Sequence, residues 1–282
     1  MDGATGRAVW GWGVTLTQRW RDRRDSYRAR GEGFDPGEFG VEPIERDTVA
    51  RDFVVGHHYS GSYPAARCRV GLYRRRAGWF TSELVGVAVY SVPMQQATIP
   101  KYAPACEAGE GVELGRFVLL DEVPFNAESW FLARAERVVR AALGVRVIVS
   151  YSDPMPRQDG AGRVITPGHV GTIYQARNAV YLGRSRAMWH YLTAGGAILS
   201  QRALSKIRNG ERGWEGAART FLELGAPGRR VGEEPEAWVA RALAEGPFTR
   251  VKHPGNHVYL WALDRRAGEG VQSVRPYPRL TS

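Results

Sequence analysis

Between residues 112 and 152 the chain sets a strand, a helix and a second strand end to end, and this unit constrains the fold more than any other stretch. GVELGRFVLL reads as a strand over 112–119, with Glu113 and Arg116 embedded in an otherwise apolar run. AESWFLARAERVVRAAL, opening at Asn126 or Glu128, then places Phe131, Ala135, Val138, Val139 and Ala142 at helical spacing and stops at Gly144. VRVIVSYS follows at once as an apolar, β-branched strand. A helix between two strands is a crossover, so the strands are expected to pair in parallel with a right-handed connection. Glu113 and Arg116, three positions apart, are expected on opposite faces of their strand. Burial on either face would require a partner or a site for the charge.

The second strand delivers Tyr151, Ser152, Asp153 and Pro154 to its carboxyl end, the rim where ligands of α/β sheets bind. Ser-Asp-Pro is equally good turn chemistry. A glycine-rich loop, a short helix over 171–178 and a strand over 180–182 come next. His169, between Gly168 and Gly171, reads as a capping or packing residue. Upstream, Val49, Phe53 and Val54 mark a short helix with Asp47 as N-cap and Gly56 as stop. His57, His58, Tyr59 and Ser60 lie at its exit. CRVGLYRRR and LVGVAVYSV read as an antiparallel pair. Downstream, ERGWEGAARTFLEL and PEAWVARALAEG are amphipathic helices within 209–246. FTRVK and HVYLWAL are expected to form a hairpin about a His253-Pro-Gly-Asn256 turn.

The chain carries 39 Lys and Arg against 29 Asp and Glu, a net charge of +10, and its only lysines are Lys101, Lys206 and Lys252. The basic excess is therefore arginine, whose planar fork suits phosphates and guanine edges, and nucleic acid is the first partner to consider. A GC-rich genome would also favour arginine. Residues 1–45 interleave Trp20, Arg21, Arg23, Arg24, Tyr27, Arg28 and Arg30, a pattern that suits phosphate neutralisation with base stacking. A solvated helix and linker is the plainer alternative. Hydrophobic residues make up 43% of the chain, which excludes wholesale disorder, and no apolar run approaches the roughly 20 residues of a membrane span. Two cysteines without metal-site spacing and a start lacking a secretory segment lead to an expected cytoplasmic location.

The order of elements matches the GNAT-like acyltransferase fold, an α+β mixed sheet with flanking helices. HHYSG at 57–61, ELGRF at 113–117, NAESWFL at 126–132, YSDP at 151–154 and GHVGTIYQARNAVYLG at 168–183 together resemble the Mom family of phage DNA-modification proteins. The likeness spans about residues 47–200, with HPGNHVYLWAL near the end also similar. It implies an enzyme that converts the N6 amine of adenine in DNA to a carbamoylmethyl form and protects phage DNA from restriction inside a bacterial host. Its domains would be an Arg/aromatic-rich extension over 1–45, a catalytic core over 46–200 and a helical and hairpin extension over 201–282.

The resemblance puts functional positions on His58, Tyr59, Arg116, Ser129, Asp153 and Tyr174, with acyl-coenzyme A (acetyl-CoA) as cofactor and iron as metal. His58 and Tyr59 would be metal ligands, and Arg116 and Ser129 would hold the cofactor. The linker DEVPFNAE lacks the glycine-rich loop by which acetyltransferases cradle a pyrophosphate, leaving the helix N-terminus for that task. An exocyclic adenine amine is a poor nucleophile, so a site must orient it and take its proton, and Asp153 is the candidate base or orienting acceptor. Tyr151 and Tyr174 would contact a base flipped out of double-stranded DNA. Arg184, Arg186 and Lys252 would hold the DNA. Two other readings are an N6-adenine methyltransferase, since Ser152-Asp153-Pro154 partly resembles its Asp-Pro-Pro-aromatic motif, and a non-catalytic arginine-rich DNA-binding protein. Met155 in place of the second proline, and the lack of a glycine-rich S-adenosylmethionine loop, count against the first.

Overall fold

The computed structural model describes residues 16–21, 24–29, 32–75, 82–124, 126–166, 168–274 and 276–279. In chain order its elements are β1 (Leu16–Arg21), β2 (Arg24–Ala29), β3 (Phe39–Pro43), α1 (Asp47–His57), β4 (Ala66–Arg75), β5 (Ser82–Ser91), α2 (Thr98–Tyr102), β6 (Gly111–Leu119), α3 (Ala127–Leu143) and β7 (Val147–Ser152). There follow β8 (Arg157–Gln158), β9 (Val164–Thr166), α4 (Thr172–Ala176), β10 (Val180–Arg184), β11 (Met188–Leu192), α5 (Gln201–Asn209), α6 (Trp214–Glu223), α7 (Pro235–Glu245), β12 (Thr249–His253) and β13 (His257–Ala262).

Seven strands form one mixed sheet in the order β10-β13-β7-β6-β5-β4-β3. β6 and β7 run parallel with α3 as their crossover, as the apolar spacing requires. Successive residues of β5 alternate between two cores: Ala88 and Tyr90 lie with Phe131, Leu132, Ala135 and Val139 of α3. Val87 and Val89 lie with Ala50 and Val54 of α1. Ile99 of α2 covers Val147 and Val149 of β7 and Val258 and Leu260 of β13. Each fully buried Val, Leu, Ile or Phe among them contributes about 1.5–3 kcal/mol. The protein is thus an α+β fold, a mixed sheet with helices on both faces.

The described residues fall into two compact units. One contains the main sheet and runs to Ser152, resuming over 170–183 and from His257 onward; the other comprises 153–169 and 184–256. These limits do not follow the expected ones at 45/46 and 200/201, because β3 and β13 both belong to the main sheet. The second unit has its own core, in which Leu204 and Ile207 of α5, Phe221 of α6 and Trp238 and Val239 of α7 pack together. Its strands are the antiparallel ribbons β11·β12 and β8·β9.

Four local expectations change. The hairpin expected at 253–256 does not form: β12 pairs with β11 and β13 with β7. Asp47 is the first residue of α1 rather than its cap, since its carboxylate accepts from Arg51 Nη2 at 3.2 Å, Arg69 Nη1 at 3.1 Å and the Tyr63 hydroxyl at 2.9 Å. The helix also runs through Gly56 to His57. At the start of the chain, β1 and β2 pair antiparallel from Leu16↔Ala29 to Arg21↔Arg24, so the backbone bearing Trp20, Arg21, Arg24, Tyr27 and Arg28 is a strand pair rather than a helix. Arg23 and Arg30 lie outside the described residues. No helix among the described residues is long and apolar enough to cross a membrane.

Candidate functional site

The first cluster is built by an irregularity in β6. Leu114 lies opposite Tyr90 and Arg116 opposite Val89, which leaves Gly115 as an extra residue in the strand. Directly opposed residues of an antiparallel pair share a face, and Glu113 and Arg116 oppose Ser91 and Val89, two positions apart. Glu113 and Arg116 therefore project from the same side, not from opposite sides as counting by twos predicts. Glycine is needed at the bulge because a Cβ there would meet Ser91 Oγ at 2.6 Å and Pro64 Cγ at 3.2 Å. The glycine inside a strand pattern was the readable signal.

Arg116 is held in place by donating from Nε to the Ser62 carbonyl at 2.9 Å, from Nη2 to Ser62 Oγ at 2.7 Å and from Nη1 to the Gly115 carbonyl at 2.5 Å. Burial lowers its pKa, against the opposing influence of Tyr59, Glu113 and Tyr174. Burial pushes the Glu113 carboxyl up to about 7, with Arg116 pulling the other way. At the same point the sheet opens. The β6·β7 pairing ends at Glu113↔Val149, although β6 continues to Leu119 and β7 to Ser152. Past that point Ser150 Oγ donates to the Leu114 carbonyl at 3.0 Å.

Tyr174 on α4 is buried, edge-on to Trp261 at 5.5 Å and tilted against Tyr259 at 5.3 Å, and hydrogen-bonds to Ser150. Burial raises its pKa, so it stays a neutral phenol. Tyr151 packs beside Val149 in the α2-side core, and burial raises its pKa as well. Ser129 sits in the first turn of α3 and donates to the Asn126 carbonyl at 3.2 Å. Asn126 itself is left-handed, at φ 73°, and no side chain caps this helix start. His58 Nδ1 accepts from the Ser60 backbone N–H at 3.1 Å and lies 2.8 Å from Ser60 Oγ, and its ring stacks on Tyr59 at 4.3 Å. Among the described residues no group of three or more His, Cys, Asp or Glu is arranged to hold a metal ion. His58 and Tyr59 therefore do not fit an iron site among the described residues, and one imidazole nitrogen of His58 is already engaged by Ser60.

The second cluster lies in the other unit and centres on Asp153, the residue after β7. Its Oδ1 accepts from the Met155 backbone N–H and from His253 Nε2, both at 2.9 Å, and its Oδ2 from Arg157 Nη1 at 2.5 Å. Burial raises the Asp153 pKa, but the His253 and Met155 hydrogen bonds and the Arg157 charge outweigh it and leave it lowered. His253 Nδ1 accepts from the Gly255 N–H at 3.1 Å, so the proton sits on Nε2, facing Asp153. The His190 ring stands edge-on to His253 at 5.1 Å, and its pKa is lowered by burial and by His253. A carboxylate with three donors is a weak proton acceptor and has little capacity left for the adenine amine that the methyltransferase reading assigns to it. Arg184, Arg186 and Lys252 belong to this unit and are exposed.

The residues expected to form one site thus divide. Arg116, Ser129, Tyr151, Tyr174, His58 and Tyr59 belong to the sheet unit, and Asp153, Arg184, Arg186 and Lys252 to the other. Sequence reasoning did not single out Glu113 as a functional group, nor His253, Arg157 and His190 as partners of Asp153. His253 is 100 residues from Asp153, and no local pattern announces that contact.

The sheet unit thus sets a buried acid and a tethered arginine beside the point where a helix-crossed parallel pair parts. The model of the Mom protein family matches residues 38–279, and the chain belongs to that family. A solved tandem GNAT protein from the clavulanic acid biosynthesis pathway, without AcCoA, aligns at 9% identity over 80% of this chain and 99% of its own, with a TM-score of 0.40. A likeness this loose adds nothing to the topology described above. No curated protein matches the chain.

Proposed function

We propose that this chain is a DNA-modification enzyme that converts the N6 amine of adenine in DNA to its carbamoylmethyl form and so protects phage DNA from restriction. Membership of the Mom family supports phage DNA modification. The observation that carries the chemical part is the placing of Glu113 and Arg116 on one face of β6, where β6 and β7 part.

In this reading Glu113 takes the proton that leaves the adenine amine as the new bond forms. A base of pKa near 7 is half ionised at neutral pH and still strong enough to accept it. Arg116, fixed by Ser62, stabilises negative charge that develops on the donor group. Tyr174 is a neutral hydrogen-bonding wall rather than a stacking partner, since Tyr259 and Trp261 pack against its ring. Asp153 is a positioning residue that orients His253 and pairs Arg157.

An acyl-coenzyme A fits the sheet unit in its chemistry. Strands that part offer backbone amides to an amide-bearing arm, and the start of α3 has no side-chain cap competing for an anion. Arg116 and Ser129 would hold it, and when bound it would supply carbon for the new group; the amide nitrogen of a carbamoylmethyl adduct has to come from a second donor. Tyr151 and the exposed cations Arg184, Arg186 and Lys252 are proposed to contact the DNA, with the target adenine flipped out of the duplex.

The test compares plasmid DNA recovered from cells producing the wild type, Arg116→Ala and Arg116→Lys. Wild-type DNA is expected to resist nucleases whose sites contain adenine. Arg116→Ala is expected to leave the DNA cleavable while the protein keeps nearly all its salt-sensitive DNA binding. Arg116→Lys retains charge but not the fork to Ser62, and is expected to recover little protection. Full protection with Arg116→Ala would remove Arg116 from the mechanism.

A further inference from the structure

The β11·β12 ribbon carries an exposed aromatic surface that the chemistry above does not use. Its register sets Trp189 opposite Lys252 and Tyr191 opposite Arg250, so these four side chains share one face. The other face carries His190 and His253 toward Asp153. Tyr191 packs against the helical core of its unit and anchors one end of the ribbon. At the other end Trp189 is 48% exposed, with the Arg250 guanidinium 4.2 Å from its ring centroid.

What sets Trp189 apart from the other exposed apolar side chains is the guanidinium that braces its ring. Charge identifies the chemistry. Over 184–192 and 249–253 the chain has Arg184, Arg186, Arg250 and Lys252 and no Asp or Glu. All four cations are exposed. By contrast Arg146, Arg157, Arg177 and Arg241 each sit against a carboxylate. Cations around a braced indole suit a ligand that is both anionic and flat, as each nucleotide is.

We infer that the Trp189–Arg250 pair is a stacking platform for an unstacked base of DNA, with Arg184, Arg186 and Lys252 holding the phosphates on either side. This rests on the DNA-modification reading and adds to it a recognition surface carried by the unit that does not contain β6. An enzyme that draws one base out of a duplex must stabilise disrupted stacking, and an indole does this for any base because every base has a π-face.

The test measures binding of the full chain to a single-stranded oligonucleotide and to the corresponding duplex over a range of salt concentrations. Trp189→Ala is expected to weaken single-strand binding about ten-fold or more and duplex binding less, with the salt slope unchanged. Trp189→Phe, which keeps a ring, is expected to recover most of the loss. Lys252→Ala is expected to reduce the salt slope by about one, the signature of one lost phosphate contact. Wild-type affinity for both DNAs in Trp189→Ala would overturn the inference. So would Trp189→Phe binding as weakly as Trp189→Ala when both unfold at the wild-type temperature. If adenine is still modified in those cases, the proposed function survives. A wild-type chain without salt-dependent binding to either DNA would overturn both.

Discussion

Replacing Glu113 with glutamine is expected to lower the rate of adenine modification by about 100-fold or more, the usual weight of a positioned base. The two variants should also differ in pH dependence. The wild-type rate should rise through about pH 7 as Glu113 ionises, and the residual rate of Glu113→Gln should lack that limb. Stability should move in a related way. The folded carboxyl holds its proton up to about 7, whereas the unfolded chain releases it near the ordinary value of 4.5. Between those values the folded state binds more protons, so wild-type stability falls as pH rises through that window and levels off above it. Glu113→Gln has no such charge to bury, so above pH 7 it should unfold at a higher temperature than wild type. The gap should close toward pH 4.5. A variant that is slower yet more stable at pH 8 cannot owe its slowness to unfolding, and thermal melts beside rate measurements decide the matter.

Asp153→Asn is expected to destabilise the chain by about 3 kcal/mol, the usual cost of removing one partner from a buried ion pair. Arg157 and Asp153 are only 13% and 19% exposed, so the guanidinium left behind has little water to turn to. Because the Asp153 pKa is lowered on folding, its contribution is present above the ordinary aspartate value and is lost as pH falls through the folded value. Urea unfolding of wild type and Asp153→Asn should therefore differ at pH 7 and converge in acid only below the lowered folded value. Adding Arg157→Met removes the stranded charge and should return part of the stability. If the double variant is stable again but still fails to modify adenine, the carboxylate matters through its hold on His253. Recovered modification would show that Asp153 serves the fold alone.

The strand–helix–strand unit was legible because its information is local: apolar alternation in 112–119, helical spacing from Phe131 to Ala142, and a glycine stop. Where β13 belongs was not read correctly, although its composition carried a clue. In HVYLWA five consecutive residues are buried, as a central strand covered on both faces requires, whereas TRVKH alternates and stays largely exposed. The Pro-Gly-Asn stretch joins strands of two different sheets instead of closing a hairpin, and partner choice is tertiary. On β6 one glycine reversed the expected facing of Glu113 and Arg116, which turned two isolated charges into a pair. The Asp153 cluster depends on three chain segments, and only Asp153 among its members stood out in the sequence.

If this chain adds a group to the N6 amine of adenine in DNA, the DNA of producing cells carries the product. The most direct measurement is the mass of the adenosine obtained when DNA from producing cells is digested to nucleosides. A new deoxyadenosine heavier by a carbamoylmethyl group is expected with wild type, strongly reduced with Glu113→Gln and Arg116→Ala. A methyl or acetyl increment would contradict the proposed product, and unmodified deoxyadenosine from cells rich in the folded protein would contradict the claim itself.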